Sequence, residues 1–198
     1  VALAVQGDTS KMTDPTQKAL LSQVSTLSGK RVLGLLSSQY IKSGRYDEAF
    51  TFAVRQDSIE QSKGLALLQY IRQCQDRHAW PQVVKMGKYL TTTYPNTPFA
   101  TEALFRYGDA LAETGKWNDA IDAYHEVIAK TPVDSDKSDA LYKIAKIFSD
   151  RMNNCEVALV YYDSVLAVPT RTMSFIEAQM GKPYCYLRLS QLDKAESG

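Results

Sequence analysis

The segment Thr101 to Pro132, TEALFRYGDALAETGKWNDAIDAYHEVIAKTP, restricts what this chain can fold into more than any other. Leu104, Tyr107, Gly108 and Leu111 recur at helical intervals, Gly115 interrupts the run, and Ala120, Tyr124, Val127 and Ile128 resume it before Pro132 ends it. The pattern predicts two antiparallel helices joined by a short turn. Such helices approach closely only where a side chain nearly vanishes, which marks Gly108 on the first and Ala120 on the second as contact points. Trp117, just past the turn, is placed to cover the open end of the pair. One pair cannot bury its apolar face unaided, so the rest of the chain has to supply neighbours.

The neighbours are there. Leu33, Leu67, Leu104 and Leu141 lead successive copies, spaced 34, 37 and 37 residues apart. In the first, Leu36, Ser37 and Tyr40 precede Gly44, and Tyr46, Ala49 and Ala53 follow it. In the second, Tyr70, Ile71 and Cys74 precede a turn at His78; Trp80-Pro81 opens the next helix, and Gly87 takes the small contact slot between Val83 and Leu90. The third is the opening segment, launched by Asn96-Thr97-Pro98. In the fourth, Ile144, Ala145 and Phe148 precede a turn at Asn153-Asn154 to which one extra residue is assigned, and Ala158, Tyr162, Val165 and Leu166 lead to Pro169. A last copy, CYLRLSQLDKA, puts Tyr186, Ser190, Leu192 and Ala195 in the aromatic, turn, large and small slots; Pro183 lies inside its first helix and calls for a kink or a late start. Ahead of the copies, VALAVQ gives way to polar residues, and Asp14-Pro15 launches a helix whose stripe of Ala19, Leu20, Val24 and Leu27 ends at Gly29. That helix is either a cap or the second half of a copy whose first half is missing. The expected division is 1–29, a tail and capping helix, and 30–198, a stack of helical pairs with the last one incomplete; the start at Val1 and the stop inside that copy lead us to expect a fragment.

A large residue, Leu-Gly, an aromatic, Ala, a second aromatic and a closing Pro mark the tetratricopeptide repeat. The matching positions hold Leu104, Tyr107-Gly108, Leu111, Ala120, Tyr124 and Pro132, with Leu where the family has Trp and Tyr where it has Leu. From Lys30 onward the chain therefore resembles a tetratricopeptide protein. The resemblance implies an all-α fold, a right-handed superhelical solenoid of antiparallel helix pairs with about four to five repeats. The connector Tyr94-Pro95-Asn96-Thr97-Pro98 is similar to the links of bacterial cell-envelope members, which favours the periplasm over the cytoplasm, although Thr131-Pro132 and Val168-Pro169 depart from that link.

Composition narrows the function classes. With 23 Lys+Arg against 22 Asp+Glu, the net charge of +1 makes no case for nucleic acid or an anionic membrane as partner. No apolar run is long enough to cross a bilayer. Cys74, Cys155 and Cys185 are odd in number and irregularly spaced, which argues against a disulfide framework and leaves the compartment open. No phosphate-binding, nucleophile-elbow or zinc-protease motif occurs. Cys74 and His78 lack a third ligand, and Asp134, Asp136 and Asp139 lack the Gly and terminal Glu of a calcium loop, Ala145 standing where the Glu belongs; no metal, cofactor or catalytic residue is assigned.

Stacked pairs would present their first helices as a concave wall. One residue past each leading leucine lie Gly34, Leu68, Phe105 and Tyr142, with Met180 in the last copy, and four further on lie Ser38, Arg72, Asp109, Lys146 and Tyr184. The set Leu68, Arg72, Phe105, Asp109, Tyr142, Lys146 and Tyr184 is the expected partner-binding surface, an apolar row beside a mixed-charge row suited to an extended peptide or a helix. The alternative is that Leu68, Phe105 and Tyr142 simply pack between hairpins. The Lys/Asn set with which co-chaperone members hold a C-terminal carboxylate is missing here. The expected function is a non-enzymatic scaffold for another protein or peptide; a helical positioning or oligomerising part of a larger enzyme is the alternative. The incomplete last copy adds an expectation of self-association.

Overall fold

The computed structural model describes residues 27–196. The tail and most of the expected capping helix lie outside the described residues. Among the described residues the chain is all-α, with no strand: α1 (Leu27–Lys42), α2 (Tyr46–Glu60), α3 (Leu65–Gln75), α4 (Trp80–Thr93), α5 (Pro98–Glu113), α6 (Trp117–Lys130), α7 (Asp134–Lys146), a π-helical turn (Ile147–Arg151), α8 (Cys155–Ala167) and α9 (Met173–Glu196). Helix α1 runs through Gly29, where the sequence pattern placed a helix end. The chain divides into two compact units, Val1–Arg106 and Tyr107–Gly198, with the division inside α5.

One hydrogen-bonding device makes each hairpin. The N–H of Arg45 donates to Tyr40 O (2.8 Å), that of Ala79 to Cys74 O (2.9 Å) and that of Lys116 to Leu111 O (2.9 Å), closing the end of the first helix each time. The residue before each donor is left-handed: Gly44 at φ 76°, His78 at 55° and Gly115 at 78°. Only glycine enters that region without a Cβ penalty, so the two glycines are the sequence signal and His78 is the exception. The fourth hairpin closes one residue wider, from Asn154 N to Phe148 O (2.8 Å), with Asn153 left-handed at φ 54°. Asn154 then caps α8 by accepting from Val157 N at 3.1 Å. The extra residue of this copy is therefore taken up as a π turn at the end of the first helix, not in the connecting turn, which is where the sequence reading had put it.

In the N-terminal unit, Leu33, Ile41, Ala49, Phe52 and Ala53 form the core of the first hairpin, with Tyr40 and Phe52 rings 5.1 Å apart. Leu67, Ile71, Cys74, Val83, Met86 and Leu90 fill the second. Tyr70 ties the two together by donating to Tyr46 O at 2.9 Å. The Tyr94-to-Pro98 link is a compact turn in which Thr97 donates to Tyr94 O through both its hydroxyl (3.1 Å) and its N–H (3.3 Å), and Pro98 opens α5.

In the C-terminal unit, Ala120, Tyr124 and Val127 on α6, Ala140, Ile144 and Ala145 on α7, and Ala158, Tyr162 and Val165 on α8 are buried. A Cβ built on Gly108 would stand 2.8 Å from Tyr124 Cε1, so the tyrosine ring occupies the space that the glycine vacates. Gly108 and Ala120 are both buried, as the sequence pattern required. The last copy departs from expectation. Helix α9 starts at Met173 and passes without a turn through Pro183 and Ser190. Gln179 and Pro183 are both exposed, so water can take the carbonyl that proline leaves without a donor. Ser190 bonds back to Leu187 O at 2.8 Å, and no glycine is present to start a reversal.

Candidate partner-binding site

In the N-terminal unit the first-helix side carries a groove of about 480 Å³ lined by Gly34, Leu35, Ser38, Gln56, Gln69 and Gln73 over a floor of Ala66 and Tyr70. Gly34 makes room for it, since a Cβ there would sit 3.2 Å from Gln56 Oε1. Gln56 is committed to Glu60 at 3.1 Å. Gln69 and Gln73, one turn apart on α3, have no hydrogen-bond partner among the described residues. Leu35 is 71% exposed at the lip. No charged side chain lines the groove, so it offers apolar contact plus paired amide donors and acceptors, the complement of an extended peptide backbone.

Beside it lies a closed ionic cluster. Glu102 accepts from Arg72 in fork geometry (2.9 and 2.6 Å) and from Arg106 (2.9 and 2.7 Å), while Arg106 also donates to Gln75 Oε1 at 2.6 Å. Arg72 holds the Glu102 carboxyl below its ordinary value of 4.5, with Arg106 adding to the effect against burial. The sign follows from linkage. A carboxyl lowered on folding adds stability that is fully present above about pH 4.5 and is lost as the pH falls through its lower folded value. Acid titration of unfolding stability should therefore show a step below pH 4.5 that Glu102→Gln removes.

The C-terminal unit carries a second, smaller pocket of about 130 Å³, with Asp109, Glu113 and Tyr124 facing Lys143, Lys146, Asp150 and Arg151 beside the π turn. Asp109 accepts from Tyr124 OH and Lys143 Nζ, both at 2.8 Å. Lys146 pairs with Asp150 at 2.8 Å. Burial pulls the Asp150 carboxyl upward, but Lys146 and Ser149 outweigh it and leave it lowered. Glu113 and Arg151 are exposed and carry no ion pair among the described residues. Within the π turn the buried Ser149 hydroxyl bonds to the Asp150 carboxylate at 2.6 Å and meets Tyr162 OH at 3.3 Å, while Arg151 stays outward.

The seven residues expected from the sequence fall unevenly. Leu68 is 1% exposed and belongs to the core, so the packing alternative holds for it. Arg72 reaches the surface already paired with Glu102. Phe105 and Tyr142 are half-buried, Tyr142 with its ring 6.3 Å from that of Tyr162 and its phenol raised by burial. Asp109 and Lys146 come together in the charged pocket. Tyr184 is 52% exposed on α9, with the Arg188 guanidinium 5.5 Å above its ring. Lys143, Asp150 and Arg151 in the pocket, and Gln69 and Gln73 in the groove, are what the sequence reading missed. Of the three acids weighed for calcium, Asp136 accepts from Thr131, Asp139 from Ser174, and Asp134 pairs with Lys137.

The family model of the tetratricopeptide repeat matches residues 102–132, the hairpin of α5 and α6. That hairpin is a repeat of the tetratricopeptide type. Nothing among curated proteins matches the chain. Tetratricopeptide repeats generally bind other proteins, and the groove and the charged pocket are two concave features among the described residues. No described helix is long and apolar enough to cross a membrane.

Proposed function

We propose that this tetratricopeptide protein is a non-enzymatic scaffold that binds an uncharged extended peptide segment of a partner in the groove of its N-terminal unit. The observation that supports it most directly is the pair of unpartnered amides, Gln69 and Gln73, above the apolar floor of Ala66 and Tyr70. A primary amide donates and accepts at once, so two of them one helical turn apart can replace the hydrogen bonds that a peptide strand loses on leaving water. The charged pocket of the C-terminal unit, with Asp109, Lys143 and Lys146, is the secondary contact, and Phe105, Tyr142 and Tyr184 add apolar area. The connector from Tyr94 to Pro98 favours a cell-envelope setting.

Partner capture by the whole chain tests this. Leu35→Arg together with Gln69→Glu should weaken capture of the partner held by the wild-type protein at least tenfold, and Lys143→Glu by less. Unchanged capture by the groove variant would remove the groove from the reading. A second reading, self-association, draws on a row along α9 where Met173, Ile176, Met180, Tyr184 and Leu187 are 51–71% exposed at heptad-like spacing. Sedimentation should then show a dimer that Ile176→Lys with Met180→Lys converts to monomer; a monomeric wild-type protein excludes it.

A further inference from the structure

Two of the three cysteines share one place in the fold. Cys155 opens α8 and Cys185 lies on the inner face of α9; both belong to the cluster of Ala145, Ala158, Tyr162, Val165 and Ala178, at 4% and 0% exposure. Burial first, then the neighbouring Cys155 thiol, pushes the Cys185 thiol up to about 12. A second observation concerns the same two helices. Gly181 sits one turn before Cys185, and a Cβ there would be 2.5 Å from Tyr162 Cζ, so α8 and α9 approach each other where a side chain is missing. Cys74 is buried in the other unit's core.

We propose that Cys155 and Cys185 are a redox couple whose disulfide staples α9 to the start of α8, with an oxidised dithiol or glutathione disulfide as the electron acceptor. The chemistry balances as two exchanges. Cys155, the less buried of the two, attacks one sulfur of the acceptor as its thiolate and expels one thiolate, leaving a mixed disulfide. Cys185 then loses its proton and attacks the Cys155 sulfur, expelling the second thiolate. Two protons and two electrons leave the protein, and the acceptor is reduced to two thiols. Burial keeps both thiols inert while the helices are packed, so reaction waits on local opening of α9. Pro183 favours that opening, because it removes one helical hydrogen bond two residues from Cys185. The staple thereby fixes, in an oxidising compartment, the helix that is held to the unit on one face only.

The test uses the whole chain and oxidised glutathione, and it is independent of what the groove binds. First, amide exchange of the reduced protein sets how long α9 takes to open. Oxidation for many such times should lower the intact mass by two hydrogens, link the peptides that carry Cys155 and Cys185, and leave Cys74 open to alkylation after unfolding. Exchange across residues 173–188 should slow at least tenfold and recover with dithiothreitol. Cys155→Ser and Cys185→Ser should each abolish the link; should either fail to fold, the wild-type peptide map decides alone. Two free thiols after that interval, a link through Cys74, or a bond between two chains would overturn the proposal.

Discussion

Tyr124→Ala should destabilise the protein by about 3–5 kcal/mol, the usual loss when a large buried aromatic is truncated. The ring is 1% exposed, it fills the space over Gly108, and its hydroxyl donates to Asp109, whose carboxylate also takes Lys143. Burial, followed by the Asp109 charge, raises the phenol, so it stays protonated and able to donate at every pH of interest. Tyr124→Phe should cost only about 1 kcal/mol, the worth of one hydrogen bond, because Lys143 still holds Asp109. The partner residue gives the sharper check. Alanine is worth about 1 kcal/mol over glycine inside a helix, yet Gly108→Ala should destabilise by about 1–3 kcal/mol, since its Cβ collides with a ring that is buried and tethered. In the Tyr124→Leu background the same substitution should cost less, giving a coupling of about 1 kcal/mol or more in urea unfolding. A stabilising Gly108→Ala would show that the ring yields and that the hairpin is not built on this contact.

How far the sequence disclosed this molecule follows from what each signal measures. Left-handed turns leave a residue signature, so the reversals at Gly44, Gly115 and Asn153 were legible, and His78 was found through its spacing from them. The π turn left none, because an added residue inside a helix and one inside a loop read the same. The extension of α9 past Ser190 was hidden because a weak slot match was given the weight of a missing glycine. The binding surface slipped by one position. A step of one residue turns a side chain by about 100° on a helix, which sends Leu68 into the core and brings Gln69 to the surface. The positions two past each leading leucine are Leu35, Gln69, Arg106 and Lys143, and these line the groove or carry the ionic clusters. Apolar periodicity locates the buried stripe, whereas the row beside it is polar and varies from copy to copy.

Polar chemistry holds the loop between the first two hairpins, and Asp57→Ala should cost about 2–4 kcal/mol there. Asp57 is 1% exposed at the end of α2, where it accepts from the Ser62 hydroxyl and from Gly64 N at 2.8 Å. Around those two residues the backbone is under strain: Gln61 and Lys63 are left-handed at φ 51° each, and only Gly64, at 107°, is suited to it. The carboxylate offsets that strain by meeting donors that only this bent path presents. Alanine leaves the Gly64 N–H buried without a partner and frees the loop to relax. Asp57 Oδ2 has no hydrogen-bond partner, and the Tyr94 phenol, raised to about 12 by burial and then by Asp57, stands against the carboxylate. Asparagine keeps one acceptor oxygen for Ser62 and Gly64 and places an amide donor where that oxygen was. Asp57→Asn should therefore lose under about 1 kcal/mol, less than a bare charge deletion would predict. Limited trypsin digestion separates the two effects from global unfolding, because cleavage after Lys63 should quicken at least tenfold in Asp57→Ala and little in Asp57→Asn. Equal losses in the two variants would mean that the charge itself, not the geometry of its acceptor, holds the loop.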